Sequence, residues 1–171
     1  MTNVVTERAA TAVAAEPETA QKRLVIVVTK GTLDEVYPAF ILATTGAATG
    51  MAVDLYFTFW GMKLLDRRTA KKTKLSPVGN PAMGMPDFLA MLPGMTTLAT
   101  WMMKRKIKKY WPTIPEMMEQ AKDLGVRLHA CSPTMGLMDL TEKDLIPGVD
   151  IVGASAFLGW ATEPDAVTIF I

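Results

Sequence analysis

The sequence predicts an α/β fold, with a mostly parallel sheet and helices on both faces. Three observations carry this expectation. The run "RLVIVVT" (23–29) is continuous, apolar and rich in β-branched residues, as in a strand covered on both faces. Further strand-like runs recur at 51–61, 126–131, 148–153 and 166–171. Segments with helical start and stop signals lie between them, and strands alternating with helices build right-handed βαβ units.

The elements are justified in chain order. Residues 1–21, "MTNVVTERAATAVAAEPETAQ", are rich in Ala, Thr and Glu and read as a flexible leader. Glu7, Glu16 and Glu18 break any secretory-signal pattern. Residues 22–171 then form a single domain. After the first strand, "VYPAFILATTGAATG" (36–50) reads as a helix ending at Gly50. Pro38 lacks an N–H and suits a first turn, so the helix is expected to begin near Val36 or Tyr37, leaving 30–35 as a loop. "MAVDLYFTFWG" (51–61) is the second strand, and 62–74 a short helix fading into a basic loop. Residues 75–86, rich in Pro and Gly, read as an irregular loop.

Phe88 to Met103 carry no formal charge, but the stretch is too short to span a membrane, and Pro93 and Gly94 interrupt it. A helix over about 96–109 is expected instead. Thr113 and Glu116 have capping-box spacing, Pro115 sits in the first turn, and Gly125 ends the next helix. "VRLHAC" (126–131) is a strand, Thr141–Asp144 a second capping box, and 148–153 another short strand. Residues 154–164 form a helix stopped before Pro164, and "AVTIFI" (166–171) is the last strand.

The totals narrow the function classes. Half of the 171 residues are hydrophobic, enough for a sizeable core. A net charge of +1 gives no footprint for nucleic acid. A single cysteine argues against a disulfide-stapled secreted protein and for a cytoplasmic one. There is no phosphate-binding glycine run, no nucleophile elbow, and no ordinary zinc set, because the chain has one Cys and one His. No cofactor or resident metal is therefore expected. Met83, Met85, Met91, Met95, Met102 and Met103 crowd one stretch, which suits core filling, an oligomer interface or an apolar rim over a reactive sulfur.

The remaining candidate is "HACSPTMG" (129–136), which holds both His129 and Cys131. Ligands of open α/β sheets bind beyond the carboxyl ends of the strands, where Cys131 falls. Side chains alternate along a strand, so Arg127, His129 and Cys131 share one face. The loops at 29–32 and 58–61 lie at the same end. Lys30, Thr58, Trp60 and Asn80 are the candidate pocket residues, with Lys30 offsetting a thiolate's charge. The residues alone leave Cys131 open to two readings, a packed core thiol or a nucleophile. His129 is likewise open, as activator of the thiol or as a group satisfied by a backbone carbonyl.

Five segments, "KRLVIVVTKGTLDEVYPAFILA", "VDLYFTFWGMKLL", "SPVGNPAMGMPDFLAMLPGMTTLATWMMK", "GVRLHACSPTMGLM" and "FLGWATEPDAVTIFI", together resemble the DsrE/DsrF-like sulfur-transfer family. The resemblance is to its larger DsrE-related (peroxiredoxin-like) subgroup, and it covers residues 22–171. It implies a flavodoxin-like three-layer fold with a mainly parallel sheet of about five strands. It also implies a sulfurtransferase or sulfur carrier with a persulfide on Cys131. The implied partners are TusA-like carriers or rhodanese-like sulfurtransferases, and a homo-oligomer is implied too. The alternatives are an interaction module with an inert Cys131, or a peripheral-membrane protein using 88–109, where "KRKIKK" is strongly basic.

Overall fold

The computed structural model describes residues 21–76 and 94–171. Residues 1–20 of the expected leader and 77–86 of the expected loop, with Asn80, Met83 and Met85, lie outside these, so the part of the methionine rim formed by Met83 and Met85 does too. Among the described residues, five strands form one sheet: β1 (Arg23–Val28), β2 (Ala52–Phe57), β3 (Arg127–Cys131), β4 (Val149–Val152) and β5 (Ala166–Phe170). Their order is β4-β3-β2-β1-β5, and every pairing is parallel. The α/β class and the five-strand parallel sheet are thus as the sequence predicts.

The two faces of the sheet are unequal. Leu24, Ile26, Val28, Leu55, Phe57, Leu128 and Ala130 point into the main core. Over them lie α1 (Leu33–Ala48), α2 (Met95–Ile107) and α3 (Ile114–Asp123). The other face carries a small cluster of Val27, Tyr56 and Cys131, covered by Val152 and Phe157. Two further helices complete the chain. The first, α4 (Ser132–Leu137), follows β3 directly; the second, α5 (Ala154–Ala161), has no buried residue.

Helix α1 starts at Leu33, three residues before the expected point, with Pro38 inside it. Leu33, Val36, Tyr37 and Phe40 are buried at helical spacing, so packing extends the helix towards its N-terminus. Asp34 and Glu35 favour the positive end of the helix dipole. The expected second strand is also shorter. It stops at Phe57, and Phe59–Leu64 wind into a 3-10 helix. Phe59 takes the left-handed φ of 45°, which turns the chain out of the sheet. Gly61 then passes so close to β1 that an added Cβ would sit 2.2 Å from the Val28 carbonyl oxygen. The basic stretch after it forms only a short 3-10 turn, Ala70–Lys72. Both capping boxes form as their spacing predicts.

Candidate functional site

Because β2 and β3 are adjacent and parallel, Tyr56 pairs with His129, and Phe57 with Ala130. Side-chain alternation then puts Asp54 and Tyr56 on the same face as Arg127, His129 and Cys131. This face divides into two halves, one of hydroxyls and one of charges.

The hydroxyl half surrounds Cys131, which is 7% exposed at the carboxyl end of β3. Burial pushes its thiol up. Hydrogen bonding from Thr134, Tyr56 and Thr58 outweighs burial and holds Cys131 below the ordinary thiol value. The hydroxyls are themselves linked, since Thr58 Oγ1 and Thr134 Oγ1 lie 3.0 Å apart. The Phe59 N–H also reaches Thr134 Oγ1, at 3.4 Å. Burial and the neighbouring Cys131 raise Tyr56 far above the usual phenol range, so it keeps its proton and donates. The Phe157 ring stacks on Tyr56 with centres 4.9 Å apart and roofs the sulfur.

The charged half lies further back along the strands. Asp54 is fully buried, and its Oδ2 accepts from Arg23 Nη1 at 2.6 Å and Arg127 Nη2 at 2.7 Å. Its Oδ1 lies 2.7 Å from His129 Nε2. Burial pushes the carboxyl up, but His129, Arg127 and Arg23 together hold it below the usual carboxylate range. Trp160 of α5 covers the cluster, 4.4 Å from the His129 ring and 5.9 Å from the Arg127 guanidinium. Arg23 Nε also holds Glu163, at 2.7 Å, just beyond α5. The same network therefore fixes the carboxyl end of the helix that roofs Cys131.

The candidate residues fall as follows. Thr58 and Cys131 are in contact. His129 shares the face, yet its Nε2 is given to Asp54, and its Nδ1 is buried without a hydrogen-bond partner among the described residues. Of the two readings left open for His129, the structure shows neither: its partner is the Asp54 carboxylate. Lys30 Nζ lies 2.6 Å from Glu35 Oε1 on the rim of the sheet. Trp60 is 59% exposed, with Lys63 Nζ 5.0 Å from its ring centre. Asn80 lies outside the described residues. Tyr56 and Thr134 were not among the candidates. The available signals were the shared parity of Asp54 and Tyr56 on one strand and the hydroxyl three residues after Cys131.

Comparison with known proteins agrees with the architecture. The model of the DsrE/DsrF/DrsH-like family matches residues 20–170. The chain is 41% identical over 154 residues to the sulfur carrier protein DsrE2 of Allochromatium vinosum, covering 85% of this chain and 96% of that protein. It is 34% identical over 163 residues to the uncharacterized protein YrkE of Bacillus subtilis, covering 88% and 97%. Among solved structures, MTH1491 from Methanobacterium thermoautotrophicum superposes with a TM-score of 0.56 at 13% identity, over 88% of this chain and 100% of that one. The ychN protein from E. coli gives 0.54 at 13% identity, over 88% and 99%. The structural likenesses speak for the fold, while the family match and the two relatives span nearly all of the chain: it belongs to the DsrE/DsrF/DrsH-like family.

Proposed function

We propose that the protein is a sulfur carrier, with Cys131 bearing the sulfur as a persulfide. One observation carries this reading: a single cysteine at the end of a central strand whose thiolate is favoured by its neighbours Thr134, Tyr56 and Thr58. The 41% identity to a sulfur carrier protein supports it. In the loading step the Cys131 thiolate attacks the outer sulfur of a donor persulfide, R–S–SH. The new S–S bond forms as the donor's S–S bond breaks, and the electron pair leaves on R–S⁻. Cys131–S–SH keeps the outer proton, so nothing is oxidised or reduced overall. Unloading reverses the step: an acceptor thiolate takes the outer sulfur, and Cys131 leaves as thiolate. The donors that favour the nucleophile also favour the leaving group.

Rhodanese-like sulfurtransferases and TusA-like carriers are the proposed donor and acceptor, and the carrier is proposed to act in the cytoplasm as a homo-oligomer. No described helix is long and apolar enough to cross a membrane. The near-complete burial of Cys131 favours a second reading, an interaction module whose thiol is inert. Intact mass after incubation with glutathione persulfide separates the two. A gain of one sulfur atom, absent in Cys131→Ser, is the expected result. A protein that takes no sulfur at Cys131 from this donor or from a persulfidated rhodanese overturns the carrier reading.

A further inference from the structure

The charges of this chain are unevenly placed. Residues 62–109 hold eleven Lys and Arg against Asp66 and Asp87, although the whole chain is near neutral. The fold gathers part of this excess around a cleft of about 350 Å³ where α1, α2 and α3 meet. The cleft lies over the main-core face of the sheet, opposite Cys131. Tyr37, Ile107 and Trp111 form its apolar wall, and the two rings stand 5.5 Å apart. Lys71, Lys104 and Lys108 line it too, and none of the three is in an ion pair among the described residues. Glu116 stands beside it, close enough to Lys108 to feel its charge, with its carboxylate accepting from the Thr113 N–H at 2.7 Å and the Thr113 hydroxyl at 2.8 Å, and Lys71 also borders a neighbouring cavity that carries Glu116, Glu119 and Asp123. Thr73 forms one border and also lines a second cavity of about 260 Å³ with Lys63, Lys72 and Lys74.

An apolar wall flanked by three lysines matches a ligand with an apolar body and an anionic head. The number of lysines on both sides of Thr73 favours a group of more than one negative charge, such as a phosphate. We propose that the cleft between α1, α2 and α3 binds a phosphate ester with an apolar or aromatic body. That body lies against Tyr37 and Trp111, and the phosphate faces Lys71, Lys104 and Lys108. The site is independent of the sulfur-carrier reading, because it shares no residue with the Cys131 face.

The test is calorimetric titration of the full chain with dodecyl phosphate, ADP and inorganic phosphate. Saturable one-to-one binding of either ester, roughly tenfold or more tighter than inorganic phosphate, is expected, and the ester that binds identifies an alkyl or a nucleoside body. The double variant Lys71→Ala/Lys104→Ala should weaken it about tenfold, through lost charge-assisted hydrogen bonds. Both lysines are exposed, so the variant keeps its fold, which circular dichroism verifies. Trp111→Leu should weaken the ester while leaving the salt dependence of binding intact. Binding of neither ester, binding of phosphate alone as tight as the esters, or affinity unchanged in the lysine variant would overturn the proposal. So would attachment to anionic phosphatidylglycerol vesicles without binding of monomeric ester.

Discussion

The Tyr56 hydroxyl donates a hydrogen bond to the sulfur of Cys131 across the β2–β3 pair. It joins two adjacent strands at the point where the sheet ends, and it ties a phenol that holds its proton to a thiol that releases it early.

Removing that donor should make Cys131 harder to ionise. In Tyr56→Phe the thiolate loses a bond worth about 1.5–3 kcal/mol, so its titration should move up by roughly one to two pH units. The rate of iodoacetamide alkylation against pH reads this directly. A curve that coincides with the wild type would remove Tyr56 from the site.

The same ionisation makes stability depend on pH. The thiol value is lower in the fold than in the unfolded chain. Its contribution is therefore complete above the unfolded value and is lost as pH falls through the folded value. Against Cys131→Ser, the wild type should gain stability on the alkaline side. Urea unfolding of both proteins across that window measures the difference.

Asp54 holds the two arginines and His129, so Asp54→Asn should destabilise by about 3–5 kcal/mol. Its carboxyl lies below its ordinary value in the fold. The wild type should therefore keep this contribution above the unfolded carboxyl value and lose it as pH falls through the folded one. Denaturant midpoints of both proteins, at neutral and acid pH, test the size and the sign.

Phe157 stacks on Tyr56 and packs against the apolar cluster that contains Cys131. Phe157→Ala should speed alkylation of Cys131 about tenfold by opening access to the buried thiol, with little change in the pH midpoint. A shifted midpoint at unchanged maximal rate would instead make Phe157 part of the thiol's electrostatics.

Gly61→Ala should destabilise by about 1–3 kcal/mol or more, since its Cβ meets the backbone of Val28 rather than a side chain that can turn away. Thermal unfolding gives the number. A midpoint equal to the wild type would mean that the crossing of this segment over β1 is looser than described.

Much of the fold was legible because the information is local. Apolar runs, capping boxes at Thr113 and Thr141, and the stop at Gly125 each act within a few residues. The placement of Cys131 at a strand end followed from them. What was illegible depends on packing between distant segments. Pro38 pointed to a later start for α1, but the burial of Leu33 and Val36 prevailed. Tyr56 meets Cys131 only because β2 lies beside β3 in one register, which periodicity within a strand does not reveal. His129 was placed on the correct face, but its partner Asp54 belongs to another strand.

The place of β5 bears on how the chain assembles. It closes the sheet against β1, with Arg23 opposite Ala166 and Val27 opposite Phe170. During synthesis, β1 through β4 can pair in the order they emerge, while one edge of β1 keeps its amides and carbonyls unmatched. That edge stays adhesive until the last of these segments has left the ribosome. Pairing β5 with β1 closes the longest sequence separation among the described strand pairs, so a nascent or truncated chain leaves that edge of β1 open to mispairing.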